Sequence, residues 1–164
     1  PVGTSLWWWK NGNLRLKIER KKDQTIRETG WYENGQLRSK ESFETKFKDW
    51  EGVHKDTTFY YFPSGKPSRM VIYSNVYVFD KKKKLLGRDY YEIQYYENGQ
   101  KLYEGGLKYF INNDSENGTT NQDYVIYNDS YYYCKNGEWK YYGSNGSLTK
   151  KEVWESCKII SSGN

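Results

Sequence analysis

Short runs of aromatic and β-branched residues, separated by Asn-Gly or Ser-Gly pairs, recur along the chain. Met70 to Phe79 is rich in Val, Ile and Tyr, and Tyr90 to Tyr96 alternates rings with polar residues. Strands favour such residues with a period of two, and no segment keeps the helical period of 3.6 residues. The pattern therefore predicts an all-β protein.

One phrase occurs five times in the sequence: two aromatic residues, one or two spacer residues, Asn-Gly or Ser-Gly, and in most copies a Leu before a charged stretch. Its marker glycines are Gly12, Gly35, Gly65, Gly99 and Gly146. The steps between them are 23, 30, 34 and 47 residues, and Glu116-Asn117-Gly118 is a candidate degenerate copy in the last step. Recurrence of this kind indicates a repeat protein.

Each phrase predicts the tip of a β-hairpin, because Asn-Gly is favoured in the two-residue type I′ turn, where both central residues have positive φ. In such a turn Tyr32 faces Leu37 on one side of the sheet, and Trp31 faces Arg38 on the other. One face of the sheet is then apolar and the other is aromatic and basic. The five marker glycines are interpreted as turn residues.

Consecutive hairpins predict an elongated, twisted antiparallel meander of stacked β-hairpin repeats in a single sheet, since one hairpin alone buries too little surface to be stable. Residues 1–164 are expected to form one repeat domain, because this length is typical of a single domain. The hairpin repeats are placed near residues 7–20, 31–43, 59–73, 90–107 and 133–155. Asp80 to Lys84 is expected to be an exposed turn, and Asn112 to Asp123 a loop.

Aromatic rings must supply most of the buried surface, because Phe, Trp and Tyr make up 19% of a chain whose hydrophobic fraction is only 35%. Rings that remain on the sheet surface are frequent anchors in protein interfaces. The longest fully apolar run, Leu6 to Trp9, is far shorter than the roughly 18 residues that span a bilayer. The composition favours a binding surface and predicts no transmembrane segment.

The net charge of +5 permits an acidic partner without requiring one. Basic stretches lie at Lys81 to Lys84 and at Arg15, Lys17, Arg20, Lys21 and Lys22. With interleaved rings they are compatible with single-stranded nucleic acid, but charged strand edges that prevent aggregation explain them equally well. Nucleic acid is therefore the least supported of the partner classes.

No residue set points to a reaction. His54 is the only histidine, so neither a metal set nor a Ser-His triad is expected. A glycosidase needs two carboxylates, and the candidate pairs are Asp89 with Glu92 and Glu152 with Glu155. Ion pairs with basic residues of neighbouring strands explain these carboxylates better. The glycines form no phosphate-binding loop. We expect a non-enzymatic protein without catalytic residues, cofactor or metal.

Cys134 and Cys157 lack the CxxC or Cys-His spacing of redox and zinc sites. One disulfide between neighbouring strands and two free thiols remain equally open. The chain begins at Pro1, which leaves an upstream signal peptide open as well.

Three phrases, Trp31 to Lys40, Tyr95 to Gln100 and Trp139 to Leu148, resemble the bacterial MORN-variant repeat, a family of toxin–antitoxin repeat proteins. The resemblance covers about a third of the chain. It implies a MORN-like fold that binds, most often to protein, and does not imply catalysis. Members are proposed as antitoxins or immunity proteins, and others are secreted or surface proteins.

A second resemblance, carried by Asn136 to Tyr142 followed by Asn145-Gly146-Ser147, is to choline-binding and related cell-wall-binding repeats. Those repeats grip choline or sugars between rings of adjacent hairpins. The alternative function is thus a glycan or choline-type binder at the bacterial surface.

Together these observations predict a bacterial protein-binding repeat module of the antitoxin or immunity kind, whose partner is a protein such as a toxin. A secreted or cell-envelope location is favoured over the cytoplasm. The candidate partner-binding residues are Trp8, Trp31, Arg38, Tyr61, Tyr95, Trp139 and Tyr141.

Overall fold

The computed structural model describes residues 2–21, 24–42, 57–78, 85–111, 125–128 and 131–163. These ranges contain no helix, and their twelve strands form one antiparallel sheet. The strands are β1 Gly3–Trp8, β2 Leu14–Lys21, β3 Gln24–Trp31, β4 Leu37–Ser42, β5 Thr57–Tyr61, β6 Pro67–Val78, β7 Leu85–Tyr95, β8 Lys101–Ile111, β9 Val125–Asn128, β10 Tyr131–Tyr142, β11 Leu148–Glu155 and β12 Lys158–Gly163.

Spatial order follows the chain from β1 to β8 and continues through β10, β11 and β12, while β9 also pairs with β10. The predicted all-β fold of antiparallel hairpins in one open sheet is confirmed. The predicted turn at 80–84, the loop at 112–123, the candidate copy at 116–118 and His54 lie outside the described residues.

Five hairpins, numbered 1 to 5, are formed by β1–β2, β3–β4, β5–β6, β7–β8 and β10–β11, and all have the same register. In each, the residue five before the marker glycine faces the residue four after it: Trp7–Leu16, Gly30–Ser39, Tyr60–Arg69, Gln94–Tyr103 and Tyr141–Lys150. Consecutive hairpins also share one register, through Leu16–Gly30, Ser39–Tyr60, Arg69–Gln94 and Tyr103–Tyr141. The uneven sequence spacing therefore leaves the geometry near the tips unchanged.

The predicted type I′ turn is wrong. In hairpin 2 the Gly35 N–H donates to the Tyr32 carbonyl at 3.0 Å, and the Tyr32 N–H donates to the Gln36 carbonyl at 2.8 Å. Only Gly35 has positive φ, at 84°, so the tip is a three-residue loop in which a type I turn is followed by a left-handed glycine. Trp31 consequently faces Leu37. Arg38 is the extra residue of a bulge rather than the partner of Trp31.

A second constraint on the tip glycines comes from the neighbouring hairpin. A Cβ on Gly146, whose φ is 82°, would lie 2.5 Å from the Gln100 Oε1 of hairpin 4. A Cβ on Gly65, whose φ is 83°, would lie 3.1 Å from the Gln36 Oε1 of hairpin 2. Both the left-handed backbone and the packing of successive tips therefore favour glycine.

The tips are joined by hydrogen bonds from side chains of one turn to carbonyls of the next, which we call the tip ladder. One set of bonds comes from the ring three residues before the marker glycine. Trp9 Nε1 donates to the Trp31 carbonyl (3.1 Å), Tyr32 Oη to the Tyr61 carbonyl (2.8 Å) and Tyr96 Oη to the Tyr142 carbonyl (3.0 Å). The other set comes from the asparagine of the turn. Asn11 donates to the Glu33 carbonyl (2.8 Å), Asn34 to the Pro63 carbonyl (3.3 Å) and Asn98 to the Ser144 carbonyl (2.6 Å).

Hairpin 3 carries Phe62 and Ser64 at these two positions. Phenylalanine has no hydroxyl, so the ring at this tip has nothing to donate to hairpin 4.

Restoring that donor predicts a stabilising substitution. Phe62→Tyr places a hydroxyl where Tyr32 and Tyr96 carry theirs, within reach of the Tyr95 carbonyl. We expect the free energy of unfolding to rise by about 1 kcal/mol, the usual net value of one such bond. Chemical denaturation measures it, with Tyr96→Phe expected to lose a similar amount. A destabilised Phe62→Tyr would show that the third junction differs from the others.

Most of the core lies on one face of the sheet, in its C-terminal half. Side chains alternate between faces along a strand, and the face that carries Val71 and Trp139 holds most of the buried ones. We call it the inner face; its buried side chains are Thr58, Val71, Glu92, Leu107, Tyr109, Trp139, Glu152 and Trp154. The outer face buries Ile93, Glu104 and Cys134.

A disulfide ties the turn between β11 and β12 to β10. Cys134, which is 1% exposed, is bonded to Cys157, so the disulfide left open by the sequence is formed. Ser156 and Cys157 connect β11 to β12 with φ of 47° and 69°. The type I′ turn expected at Asn-Gly occurs here instead, without glycine. Non-glycine residues adopt this conformation at a cost of roughly 1–2 kcal/mol each, which the disulfide and the flanking strands offset.

Candidate functional site

Five rings, one per hairpin, project from the outer face near the tips. They occupy the position four residues before the marker glycine, and they are Trp8, Trp31, Tyr61, Tyr95 and Tyr142. Trp8 is 59% exposed, and the other four are half-buried. Consecutive hairpins are two strands apart, so neighbouring rings are spaced by about 10 Å and the row spans about 40 Å.

The residues that face these rings across each hairpin are mostly apolar. They are Leu14, Leu37, Pro67, Lys101 and Leu148. Rings and partners together form a continuous strip that we call the outer apolar band. Lys17 and Lys40 lie farther from the tips on the same face, and the Lys101 Nζ lies 5.9 Å from the centre of the Tyr142 ring. Lys17 and Lys101 are paired with Glu19 (3.1 Å) and Glu104 (2.7 Å) of the same face, so the band is mostly apolar and its basic neighbours are largely balanced by carboxylates.

Four of the sequence-predicted partner residues, Trp8, Trp31, Tyr61 and Tyr95, lie together in the band. The other three do not. Trp139 and Tyr141 point to the inner face, and Trp139 is only 4% exposed. Arg38 is exposed, and its guanidinium lies over Gly30 on the inner side.

Tyr142, the fifth ring of the band, was missed by the sequence analysis. Its copy has one more residue between the aromatic pair and the glycine, because Gly143 stands where the other copies have a second ring. Counting back from the glycine, rather than forward from the ring pair, identifies it.

On the inner face, Lys135 lies within a cage of rings. Its Nζ is 4.8 Å from the ring centre of Trp154, 5.1 Å from that of Trp139 and 5.6 Å from that of Tyr141. The Glu152 carboxylate lies 3.7 Å from the ammonium. Such cages attract ammonium groups through the negative faces of the rings. This one is filled by the protein's own lysine.

The Glu152 carboxylate accepts hydrogen bonds from Tyr141 Oη (2.6 Å) and Trp154 Nε1 (2.9 Å), and it forms an ion pair with Lys150 (2.5 Å). Burial by itself raises the pKa of Glu152, but the bonds from Lys150, Tyr141 and Trp154 outweigh burial and lower this pKa to about 2.

This lowered pKa predicts a loss of stability in acid. A carboxyl whose pKa is lower in the folded than in the unfolded state stabilises the fold above about pH 4, and the effect is lost as pH falls toward the folded pKa. Between pH 5 and 3, Glu152 should account for a loss of about 2 kcal/mol. Unfolding measured across this range should be less pH-dependent for Glu152→Gln than for the wild type. If the free energy of unfolding has the same slope against pH in both proteins, the lowered pKa of Glu152 does not cause the loss.

Two other buried carboxylates are engaged in the same way. Arg69 donates to both oxygens of Glu92 at 2.9 Å, and the Tyr103 hydroxyl donates to Glu92 at 2.9 Å. Burial raises the pKa of Tyr103, and the negative Glu92 raises this pKa further. On the outer face, Lys101 and Tyr142 donate to Glu104 at 2.7 and 2.5 Å. These bonds compensate the cost of burying charge and tie neighbouring strands together.

Neither candidate carboxylate pair converges. Asp89 and Glu92 are three residues apart on β7, and Glu152 and Glu155 are three apart on β11, so the members of each pair emerge on opposite faces. Asp89 accepts the Tyr109 N–H at 2.9 Å instead. Within the described ranges there is no group of His, Cys, Asp or Glu suited to a metal ion.

Much of the basic stretch near the N-terminus makes local contacts. The Arg15 guanidinium lies 4.8 Å over the Trp9 ring, Lys17 pairs with Glu19 at 3.1 Å, and Arg20 donates to Ser5 at 2.9 Å. Lys81 to Lys84 lie outside the described residues. Among the residues that are described, no helix is long and apolar enough to cross a membrane.

Comparison with known proteins identifies three segments, residues 1–22, 24–45 and 135–155, that match the family model described as MORN repeat variant. These segments correspond to hairpins 1, 2 and 5. Hairpins 3 and 4 lie outside them but share their register. No curated protein and no solved structure is significantly similar to the chain.

Proposed function

We propose that this chain, which carries MORN-variant repeats at residues 1–22, 24–45 and 135–155, is a non-enzymatic module that binds a protein partner through the outer apolar band. MORN repeats are generally associated with binding modules. The observation that carries the proposal is the alignment of five rings in one row by a register common to all five hairpins.

The band has the composition of a protein interface. Partly exposed Trp and Tyr bury a large area on binding and lose little conformational freedom, which makes them frequent hot spots. An apolar strip about 40 Å long also matches the extent of a protein surface better than that of a small ligand.

A binding role also agrees with the state of the buried carboxylates. General acid–base catalysis needs a carboxyl that can exchange a proton with substrate. Glu92, Glu104 and Glu152 are instead held by two or more donors each. This supports a structural role for them and a non-enzymatic protein.

Adjacent residues on opposite faces allow a matched test. Trp8→Ala/Tyr61→Ala removes two rings of the band, and Trp7→Ala/Tyr60→Ala removes the preceding ring in each hairpin, which lies on the inner face. We call these the outer variant and the inner variant. The immobilised wild-type chain should capture a protein partner, which is then purified. The affinity of this partner should be at least about 30-fold lower for the outer variant than for the wild type. Its affinity for the inner variant should change by only a few-fold.

Equal losses in the two variants, or a loss confined to the inner one, would contradict the proposal. Circular dichroism and thermal unfolding of both variants separate lost contacts from lost folding.

For the partner we propose a toxin, with this chain as its antitoxin or immunity protein in a bacterium, following the resemblance of the repeats. A toxic gene beside this one, and rescue of its toxicity by co-expression of the chain, would support this identity. Co-expression of the outer variant should rescue less than that of the inner variant. Rescue by neither the wild type nor the variants would remove the toxin as partner.

The alternative of a choline or glycan ligand is less favoured, because the ring cage that would hold an ammonium group already contains Lys135. Titration with choline and with cell-wall glycans, followed by tryptophan fluorescence, tests it. A saturable change that Trp139→Phe abolishes would favour the ligand over the protein partner.

A further inference from the structure

The walls of the ring cage on the inner face are oriented by hydrogen bonds that do not involve Lys135. The Glu152 carboxylate accepts from Tyr141 at 2.6 Å and from Trp154 at 2.9 Å, so a single acceptor orients two of the three rings. The third ring, that of Trp139, donates to a backbone carbonyl of β8 at 2.9 Å. The cage should therefore keep its shape when the lysine side chain is absent, which makes it preorganised for an ammonium group.

The charge inside the cage also favours a cation. Glu152 is only 5% exposed, and its lowered pKa keeps the carboxylate ionised at neutral pH. This carboxylate lies 3.7 Å from the Lys135 ammonium and 2.5 Å from that of Lys150. Without Lys135 the cage would hold one lysine and one carboxylate, and a cation from solution would restore the charge of the wild-type cage.

The occupant of the cage reaches solvent, whereas the walls are covered. The Lys135 side chain is 20% exposed, but Trp139 and Trp154 are only 4% and 8% exposed. The lysine side chain thus lies between the rings and the solvent. Shortening this side chain opens a path from solution to the ring faces.

We infer that the ring cage is a binding site for a quaternary ammonium group, and that Lys135 closes this site as an internal ligand. The ammonium of lysine is strongly hydrated, whereas a quaternary ammonium group presents methyl groups that fit against ring faces. In the wild-type chain an external ligand must displace Lys135, so its apparent affinity is lowered by the fraction of molecules in which the cage is vacant. The inference goes beyond the proposed function, because it concerns the inner face and not the outer apolar band.

Titration of the full-length Lys135→Ala chain with choline tests the site. Calorimetry measures the affinity, and tryptophan fluorescence reports on the walls, since Trp139 and Trp154 would contact the ligand. We expect saturable binding to the variant and binding at least about tenfold weaker to the wild type.

The neutral isostere of choline, in which carbon replaces nitrogen, is the matched ligand. It has the same shape but no charge, and attraction to ring faces through their negative potential requires a cation. Its affinity for Lys135→Ala should be at least about tenfold lower than that of choline.

Lys151→Ala is the matched control variant. Lys151 is an exposed lysine of β11 and lies next to Glu152, so its side chain emerges on the outer face. The substitution removes the same charge but leaves Lys135 in the cage. Its affinity for choline should stay within a few-fold of the wild-type value.

Circular dichroism checks that each variant is folded. If Lys135→Ala is not, Lys135→Val takes its place, because valine favours a strand and is also too short to fill the cage. A folded variant without saturable choline binding would overturn the inference, as would equal affinity for choline and its neutral isostere. Binding of choline to the wild type as tight as to Lys135→Ala would show that Lys135 does not close the cage.

Discussion

Gly105→Ala is expected to lower the free energy of unfolding by about 3–5 kcal/mol, comparable to removing a buried tryptophan. The indole of Trp139 lies directly on the backbone of Gly105, and an added Cβ would overlap its Cγ, Cδ2 and Cε2 atoms. Neither the strand backbone nor this buried ring can move without loss. Displacing Trp139 breaks its hydrogen bond to the Gly106 carbonyl (2.9 Å) and opens the cage around Lys135.

Equilibrium unfolding in guanidinium chloride, followed by far-UV circular dichroism, measures this loss. The matched control is Gly163→Ala on β12, where an added Cβ meets no atom within 4 Å, and a change within about 0.5 kcal/mol is expected. A Gly105→Ala protein as stable as the control would mean that Trp139 does not lie on this strand.

The second large effect is expected from the disulfide. Cys134 and Cys157 are 23 residues apart in sequence, and the chain-entropy model gives such a cross-link about 3 kcal/mol of stability. The loop it closes includes β11 and most of hairpin 5. Its loss also releases the turn in which Ser156 and Cys157 have positive φ, so β12 should separate from β11 first.

Unfolding of the Cys134→Ala/Cys157→Ala double variant, compared with the wild type with and without reductant, tests this. Reductant should destabilise the wild type by roughly the same 3 kcal/mol and leave the double variant unchanged. Hydrogen exchange should show the first loss of protection in residues 158–163. Unchanged stability on confirmed reduction would contradict the prediction.

The contact of Trp139 with Gly105 and the disulfide both lie in the C-terminal half of the sheet. Most of the buried side chains, the ring cage and the disulfide belong to the C-terminal half, whereas hairpin 1 exposes Leu6, Trp7 and Trp8. In a repeat array each hairpin contacts only its neighbours, so local stability follows local burial. The C-terminal half thus anchors the fold.

The repeated phrase alone was sufficient to predict the hairpins and their order. Glycine must occupy a left-handed position, and rings with β-branched residues favour strands, so these preferences are local and visible in the sequence. The same phrase also located four rings of the outer apolar band. The turn class was wrong, because a three-residue loop and a type I′ turn both accept Asn-Gly, and the two differ by one residue of register.

That single residue decided which side chains share a face, and only the tertiary structure provided it. Trp31 faces Leu37 instead of Arg38. Pairing between distant segments likewise depends on packing, as in the contact of Trp139 with Gly105 and the bond from Cys134 to Cys157. Local preferences made the hairpins predictable from sequence, whereas the ring cage and the disulfide depend on contacts between residues far apart in the chain.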